Sequence, residues 1–410
     1  MIHIKRLSSK RQPLFFRFAI NFIAMESILP GIDQLCLQAN SFKYKRVALV
    51  TNNAAATSGG KLSRTALLEA GIPIVRLFSP EHGLSAKGDD GAYQAHHIDS
   101  VTQLPVISLY GDRLLPSHEE MTGIDCVIYD IPDVGCRFYT YLWTMTYVME
   151  ACAAFNIPFM VADRPNPGGG DISQSEGPWL DERHCASFIG RWKIPVRHCC
   201  TLAELAGFFA ATRIKNLDLQ VIKVRHWNRR QNAATAGWHF VPTSPAIADL
   251  ETVLLYPGMG MLEGINVNEG RGTEKAFKIM GAPWIDAKQL SAAFAGLQLP
   301  GIACIAAEYT PAWGLYAGES CYGLQFRVTD AQSFMPVKTG ISLMKLIKKQ
   351  YPLLCEERLY ATVANPSGVA HLDKLTGVYQ SFEKLGNNEA ELLGNTKIDW
   401  LTMIQPYLLY

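Results

Sequence analysis

The alternation of apolar and polar stretches between residues 46 and 162 predicts strands separated by helices. Helical spacing runs from Leu62 to Ala70 and from Tyr139 to Phe155. Short apolar runs rich in branched residues indicate buried strands at Val47 to Thr51, Ile74 to Phe78, Val106 to Leu109, Val127 to Tyr129 and Phe159 to Ala162. Strands that alternate with helices imply a parallel sheet with right-handed crossovers, so the pattern predicts a Rossmann-like α/β fold.

The pattern after residue 162 is less regular. A polar, Gly- and Trp-containing loop spans Gln174 to Pro195, and Thr201 with Glu204 three residues later has the form of a capping box at a helix start. Further strand-like and helical pieces lie at Leu217 to Val224, Thr252 to Leu255, Gly301 to Ala307, Leu324 to Val328 and, as a helix, Val337 to Gln350.

The polar stretch from Trp238 to Ile247 contains two prolines and indicates a linker. We therefore expect three regions. Residues 1–30 form an N-terminal extension, residues 31–240 a Rossmann-like catalytic domain, and residues 241–410 a smaller, mixed α/β domain that closes the cleft.

The N-terminal segment has two interpretations. Its first 24 residues contain five Lys and Arg and no acidic residue. They resemble a secretory signal with an apolar stretch from Leu14 to Ala24, although Arg17 and Asn21 interrupt it. The alternative is a start assigned too early, with Met25 as the true first residue.

Charge and cysteine content limit which binding partners and which cellular compartment we expect. The formal net charge is only +1, so no strong field favours nucleic acid or an anionic membrane. The apolar runs are far shorter than the roughly 20 residues of a spanning helix. The ten cysteines follow no zinc-binding spacing. Scattered through apolar stretches, they favour reduced thiols, and hence a cytoplasmic location slightly over a periplasmic or secreted one.

Polar and ionisable side chains follow every predicted strand of the parallel sheet. Ligands of such sheets bind beyond the carboxyl ends of the strands, so these side chains are candidates for one pocket. In chain order they are Asn52, Glu81 with His82, Tyr110 with Arg113, Asp130 with Asp133 and Arg137, and Asp163 with Arg164 and Asn166. Tyr139, close to the fourth strand end, is a further candidate.

Glu81 is the strongest catalytic candidate. It lies between Pro80 and Gly83 on a stiff turn, where burial against Phe78 would raise its pKa as a general acid requires. The alternative is a carboxylate that only caps the following turn. Asp130, Asp133, Asp163 and Glu269 remain rivals for the second catalytic role.

The arginines have two interpretations as well. Arg137 and Arg164 either bind a substrate carboxylate through bidentate contacts or form ion pairs with Asp130 and Asp133. His82 either orients Glu81, carries a proton or packs in the turn.

The second half contributes one further polar cluster. From Leu262 to Phe277 the chain carries Glu269 and Arg271 among glycines, which is typical of a binding loop rather than a helix or core segment. Neither this loop nor the first strand is followed by a phosphate-binding glycine motif. No cofactor and no metal are therefore expected, and a nucleotide-dependent oxidoreductase is disfavoured.

Five motifs follow one another along the chain. They are FSPEHG (Phe78 to Gly83), YDIPDVGCRFYTY (Tyr129 to Tyr141), ADRPNPGGG (Ala162 to Gly170), EGINVNEGRGT (Glu263 to Thr273) and AGESCYG (Ala317 to Gly323). Together they resemble the motifs of one known family, the NamZ-type exo-β-N-acetylmuramidases, formerly a domain of unknown function. The resemblance extends from about Gly31 to Tyr410.

The resemblance implies a peptidoglycan glycosidase that releases N-acetylmuramic acid from the non-reducing end of cell-wall fragments, with its site in a cleft between the two domains. It implies Glu81 as the motif glutamate, and Asp130, Asp133 and Arg137 as members of a second motif. The chain departs from the family pattern at Cys199, at Asn268 with Glu269, and at Trp313, where members commonly carry a Lys. The competing hypothesis is a protein that binds muropeptides without cleaving them.

Overall fold

The structure is a computed structural model that describes residues 27–232, 238, 240–387 and 389–410. The N-terminal segment with its two interpretations, up to Glu26, lies outside the described residues.

A seven-stranded sheet forms the first half of the molecule. Its strands are β1 (Val47–Thr51), β2 (Ile74–Ser79), β3 (His97–Ile98), β4 (Pro105–Ser108), β5 (Cys126–Asp130), β6 (Phe159–Ala162) and β7 (Leu219–Ile222). They lie in the order β3-β4-β2-β1-β5-β6-β7, and every neighbouring pair is parallel except β3 with β4. Without the edge strand β3 this is the strand order of a Rossmann sheet, which confirms the predicted fold class.

Helices connect these strands and cover both faces of the sheet. They are α1 (Gly31–Leu37), α2 (Ser63–Glu69), α3 (His118–Met121), α4 (Tyr141–Phe155) and α5 (Leu202–Thr212). Helix α4 ends at Asn156, whose left-handed conformation suits a residue with a short polar side chain. Helix α5 begins at Thr201 with the predicted capping box to Glu204.

The second half is a smaller α/β assembly, as predicted. Its strands β8 (Ile279–Ala282), β9 (Ile302–Tyr309) and β10 (Cys321–Val328) form an antiparallel sheet in the order β8-β10-β9. Its helices are α6 (Leu250–Met259), α7 (Ala287–Ala295), α8 (Pro336–Gln350), α9 (His371–Thr376), α10 (Ser381–Asn387), α11 (Glu389–Leu393) and α12 (Lys397–Ile404).

The expectation of a strand at Thr252 to Leu255 is wrong, because these residues belong to helix α6. The Asp249 carboxylate accepts a hydrogen bond from the backbone N–H of Thr252 and caps this helix. A run of four residues is too short to show whether its apolar positions repeat with the period of a strand or of a helix. The cap at Asp249 marks this segment as the start of a helix.

Both halves share one hydrophobic core. Phe78 of the large sheet belongs to the same buried cluster as Leu262 and Leu372 of the second half. The second half therefore packs over the carboxyl edge of the large sheet, where the candidate residues lie. All ten cysteines are free thiols, as the sequence indicates. In the described part of the chain, no helix is long and apolar enough to cross a membrane.

Candidate active site

A cavity of about 640 Å³ lies between the carboxyl edge of the large sheet and the second half. This volume suits a small organic ligand, for which pockets of roughly 300–1,000 Å³ are usual. The loops after β2, β4 and β5 contribute Glu81, His82, Asp90, Tyr110, Tyr139 and Thr140 to its wall, and the second half contributes Glu263, Glu269, Arg271, Arg358, Tyr360 and Lys374.

A tight turn after β2 directs Glu81 into this cavity. The backbone N–H of Gly83 donates to the carbonyl of Pro80 at 3.0 Å, and His82 adopts a left-handed backbone with φ of 64°. A non-glycine residue in that conformation is uncommon and is found where the surroundings impose it. The His82 ring is held in place by the carbonyl of Gly88, 2.7 Å from its Nδ1.

Glu81 is buried, with only 5% of its surface exposed. Its carboxyl group accepts hydrogen bonds from the backbone N–H of Gly91 at 2.9 Å and the Thr140 hydroxyl at 2.8 Å. Burial, and to a smaller extent the charge of Asp90, raises the pKa of Glu81, and together they exceed the lowering by His82 and by the two hydrogen bonds. The carboxyl group therefore tends to keep its proton, as a general acid must.

Asp90 is a carboxylate of the cavity wall close to Glu81, and the sequence did not identify it. Tyr360 donates a hydrogen bond to it, and Arg271 Nη2 lies 3.4 Å away. Desolvation raises the pKa of Asp90, but Arg271 and then His82 lower it by more, so the group remains ionised. Two nearby carboxyl groups whose pKa values are displaced in opposite directions are the arrangement of an acid–base pair.

Glu81, His82 and Asp90 are also the described residues that could share a metal ion, since donor atoms of all three lie within 4.8 Å of one another. The carboxyl oxygens already accept hydrogen bonds from Thr140, Gly91 and Tyr360. One hydrogen bond to a carboxyl oxygen leaves lone pairs free, so these contacts are compatible with either an acid–base pair or a cation site.

Arg271 joins the acidic residues of the second half. Its guanidinium lies 2.5 Å from Glu263, 3.0 Å from Glu269 and 3.4 Å from Asp90. Burial alone would lower the pKa of Arg271, but these carboxylates raise it well above its ordinary value. Glu269 and Arg271 thus lie in the cavity wall, where a binding loop was expected, and Arg271 fixes the charge of Asp90.

Tyr139 also lines the cavity, and its hydroxyl donates to Thr243 Oγ1 at 2.7 Å. The other strand-end candidates do not line the cavity. Arg113 is exposed and pairs with Glu120. The rest are buried in contacts of their own, and they are Asn52, Asp130, Asp133, Arg137, Asp163, Arg164 and Asn166.

The contacts of the buried residues Asp130 and Asp133 show why these candidates do not line the cavity. Arg164 donates to Asp130 at 2.6 Å, so the ion-pair interpretation of this arginine holds. Asp133 accepts a hydrogen bond from the backbone N–H of Gly135 at 2.8 Å and lies 3.4 Å from His198 Nε2. Neither aspartate lines the cavity, and Asp133 Oδ1 and His198 Nε2 are both buried without a hydrogen-bond partner among the described residues.

The remaining candidates hold loops together. Asp163 accepts from the Tyr410 hydroxyl at 2.8 Å, and burial raises the pKa of Asp163 to about 7. Asn166 donates to the carbonyl of Cys200 at 3.1 Å. Asn52 accepts from the backbone N–H of Ala54 at 3.0 Å.

Arg137 occupies the centre of the molecule rather than the cavity. Its guanidinium donates to the carbonyls of Ile194 and Pro178, and to those of Leu375 and Thr376 in the second half. Gly377 packs so closely that an added Cβ would lie 2.4 Å from Nη2 of Arg137. Arg137 therefore joins the two halves through backbone contacts.

Comparisons with known proteins agree with this architecture. The family model for the N-terminal part of the exo-beta-N-acetylmuramidase NamZ matches residues 47–251, and the model for its C-terminal part matches residues 254–410. A protein named peptidoglycan beta-N-acetylmuramidase NamZ, from Bacillus subtilis (strain 168), is 41% identical over 324 residues, which are 78% of each chain.

Two crystal structures of DUF1343 family proteins from Bacteroides fragilis NCTC 9343 share the fold. One has a TM-score of 0.84 at 29% identity and covers 93% of this chain and 99% of its own. The other has a TM-score of 0.70 at 26% identity and covers 94% and 99%.

Together with the paired carboxyl groups in the cavity, these similarities place the protein among the glycosidases. It belongs to the NamZ family, whose two models together account for nearly all of the chain after residue 46.

Proposed function

We propose that the protein is an exo-β-N-acetylmuramidase that releases N-acetylmuramic acid from the non-reducing end of peptidoglycan fragments. The Bacillus subtilis relative, a peptidoglycan beta-N-acetylmuramidase, supports the substrate class. The observation that carries the proposal is the pair of neighbouring carboxyl groups, Glu81 with a raised pKa and Asp90 with a lowered one.

In the proposed reaction Glu81 donates its proton to the glycosidic oxygen as the bond to the leaving sugar breaks. Ionised Asp90 takes the second role. It either attacks the anomeric carbon, after which water hydrolyses the glycosyl–enzyme and returns a proton to Glu81, or it accepts a proton from a water molecule that attacks the anomeric carbon directly. Retaining glycosidases have carboxyl groups about 5–5.5 Å apart, whereas inverting enzymes need more space for a water molecule. One carboxyl oxygen of Glu81 and one of Asp90 lie within 4.8 Å of each other, so the two groups can act on the same glycosidic bond.

An apolar platform at the cavity suits the leaving sugar. Trp313 is 57% exposed and Leu359 70% exposed, and both line the cavity. The Trp313 loop is fixed, because the backbone N–H of Ala312 donates to the carbonyl of Gly272 at 2.8 Å. Large apolar side chains held rigidly at a cavity mark a ligand contact, and we assign this contact to the sugar that departs.

The test compares chromogenic β-glycosides of N-acetylmuramic acid and N-acetylglucosamine. We expect release of the chromophore from the muramide alone, and a loss of about 10²-fold or more in Glu81→Gln, the lower end of general acid catalysis. Glu383→Gln, at an exposed position of helix α10, is the matched control and should retain the wild-type rate.

Cleavage of both glycosides at equal rates would contradict the substrate assignment. Tight binding of N-acetylmuramic acid by calorimetry without any product would instead support the hypothesis of a non-catalytic muropeptide-binding protein.

A further inference from the structure

Four Lys and Arg side chains line the cavity, namely Lys87, Arg271, Arg358 and Lys374. They differ in whether a nearby carboxylate compensates their positive charge. Arg271 contacts three carboxylates, and Arg358 Nη1 lies 3.4 Å from Glu269. Lys87 is exposed to solvent. Lys374 is half-buried, and within the described ranges no carboxylate forms an ion pair with it.

The ammonium group of Lys374 has only neutral partners. It donates to Asn365 Oδ1 at 2.7 Å and to the carbonyl of Val369 at 3.0 Å. An ammonium group has three N–H donors, so one remains available beside the cavity. The adjacent carboxylate of Asp373 is used elsewhere, since it accepts from the backbone N–H groups of Gln380 and Ser381 at 2.8 and 2.7 Å.

A cation that is removed from water without an anionic partner is costly to the folded protein. Burial lowers the pKa of Lys374, and the charge of Asp373 offsets only part of that effect. Such a group, placed in the wall of a binding cavity, gains most from a ligand that carries its own negative charge.

We propose that Lys374 binds the lactyl carboxylate of the N-acetylmuramyl residue and thereby selects this sugar over N-acetylglucosamine, which lacks the lactyl group. This inference rests on the proposed function. The two arginines expected to bind a carboxylate cannot do so, because Arg164 is paired with Asp130 and Arg137 with backbone carbonyls. Lys374 is therefore a specificity-determining residue.

Electrostatics make a dedicated cation necessary. The cavity wall carries the acidic residues Glu81, Asp89, Asp90, Glu263 and Glu269. Arg271 lies beside the last two and Asp90, and Arg358 lies beside Glu269, so both guanidinium groups are compensated within the protein. Lys87 is exposed to solvent, which weakens its attraction for a ligand. The uncompensated ammonium of Lys374 supplies the positive charge for an anionic substrate.

The test compares a chromogenic β-muramide with its lactyl methyl ester, which has the same shape without the charge. For the wild-type enzyme we expect KM to rise about tenfold or more on esterification. Lys374→Met should raise KM for the free acid by a similar factor, change kcat by less than about twofold, and show no further loss with the ester. Lys349→Met, at an exposed lysine of helix α8 outside the cavity, is the control and should behave as wild type.

Lys374→Gln separates charge from local structure, because its amide still donates hydrogen bonds toward Asn365 and Val369. It should show the same loss of discrimination between acid and ester as Lys374→Met. A wild-type enzyme that treats acid and ester alike would overturn the inference, as would a Lys374 variant that still prefers the acid tenfold. If the wild-type enzyme cleaves no muramide at all, the proposed function itself fails.

Discussion

Arg137→Met separates a structural role of this side chain from the substrate-binding role that its motif suggests. The side chain is fully buried and donates four hydrogen bonds, at 2.8 and 2.9 Å to the carbonyls of Pro178 and Ile194 and at 3.1 and 2.6 Å to those of Leu375 and Thr376. Methionine preserves much of the volume but removes every donor.

The magnitude follows from two opposing effects. Each buried carbonyl that loses its donor costs roughly 2 kcal/mol, so the four together cost about 8 kcal/mol. Burial lowers the pKa of Arg137 from 12.5 to about 10, which corresponds to roughly 3 kcal/mol of unfavourable charge burial that the substitution relieves. We therefore expect a net decrease of about 5 kcal/mol in the free energy of unfolding.

Urea unfolding followed by tryptophan fluorescence measures this quantity. Arg183→Met changes an exposed arginine of the nearby loop and should alter the free energy of unfolding by less than about 0.5 kcal/mol. KM for a muramide, measured on the folded fraction of Arg137→Met at low temperature, should change by less than about twofold. Wild-type stability combined with a large increase in KM would refute this reasoning and show that Arg137 binds substrate.

Three further predictions concern the cavity. Glu81 acts in its protonated form and its pKa is raised above 4.5, so kcat/KM should fall as pH rises through that pKa. Thr140→Val removes a hydrogen bond that lowers the pKa of Glu81 and should move this alkaline limb of the profile to higher pH, whereas an unmoved limb would assign the limb to another group. Trp313→Ala should raise KM for a disaccharide several-fold but leave the affinity for free N-acetylmuramic acid unchanged, and equal weakening of both would place Trp313 at the N-acetylmuramyl residue instead of the leaving sugar. Prolonged treatment with a chelator should leave kcat within about twofold, and a loss restored by one metal would identify Glu81, His82 and Asp90 as a metal site.

The centre of the large sheet was predictable because strands β1, β5 and β6 are buried on both faces and are therefore short, largely apolar runs. Strands β1 and β6 have the predicted bounds, and every residue in each is buried. Strand β3 escaped prediction because both of its residues are exposed, and an exposed pair carries no apolar pattern. Helix α6 was mistaken for a strand because its identity depends on the cap at Asp249.

The acidic pair was only half predictable. Glu81 follows a strand directly, and topology alone places it at the ligand-binding edge. Asp90 lies in a polar loop, eleven residues after the end of β2. Its contacts with Arg271 and Tyr360 hold it close to Glu81. Those partners are more than 180 positions away in the chain, so no local sequence pattern around Asp90 indicates these contacts.

Arg137 shows the opposite error. Its motif is typical of a residue that recognises a carboxylate, yet the side chain binds backbone carbonyls up to 239 positions distant. The residue type indicates a positive charge near the site, but only the packing of the two halves shows what that charge contacts. The same packing exposes Lys374 to the cavity, although its sequence surroundings resemble an ordinary helix.

The central claim, that Glu81 and Asp90 act as acid and ionised partner in glycoside cleavage, is tested most directly by varying the leaving group. The measurement is kcat of the wild-type enzyme, Glu81→Gln and Asp90→Asn on a muramyl disaccharide and on a dinitrophenyl β-muramide, whose aglycone departs without protonation. We predict that both variants lose about 10²-fold or more on the disaccharide, and that only Glu81→Gln recovers most of its rate on the dinitrophenyl substrate. Wild-type rates of both variants on the disaccharide, or no recovery of Glu81→Gln on the activated glycoside, would contradict it.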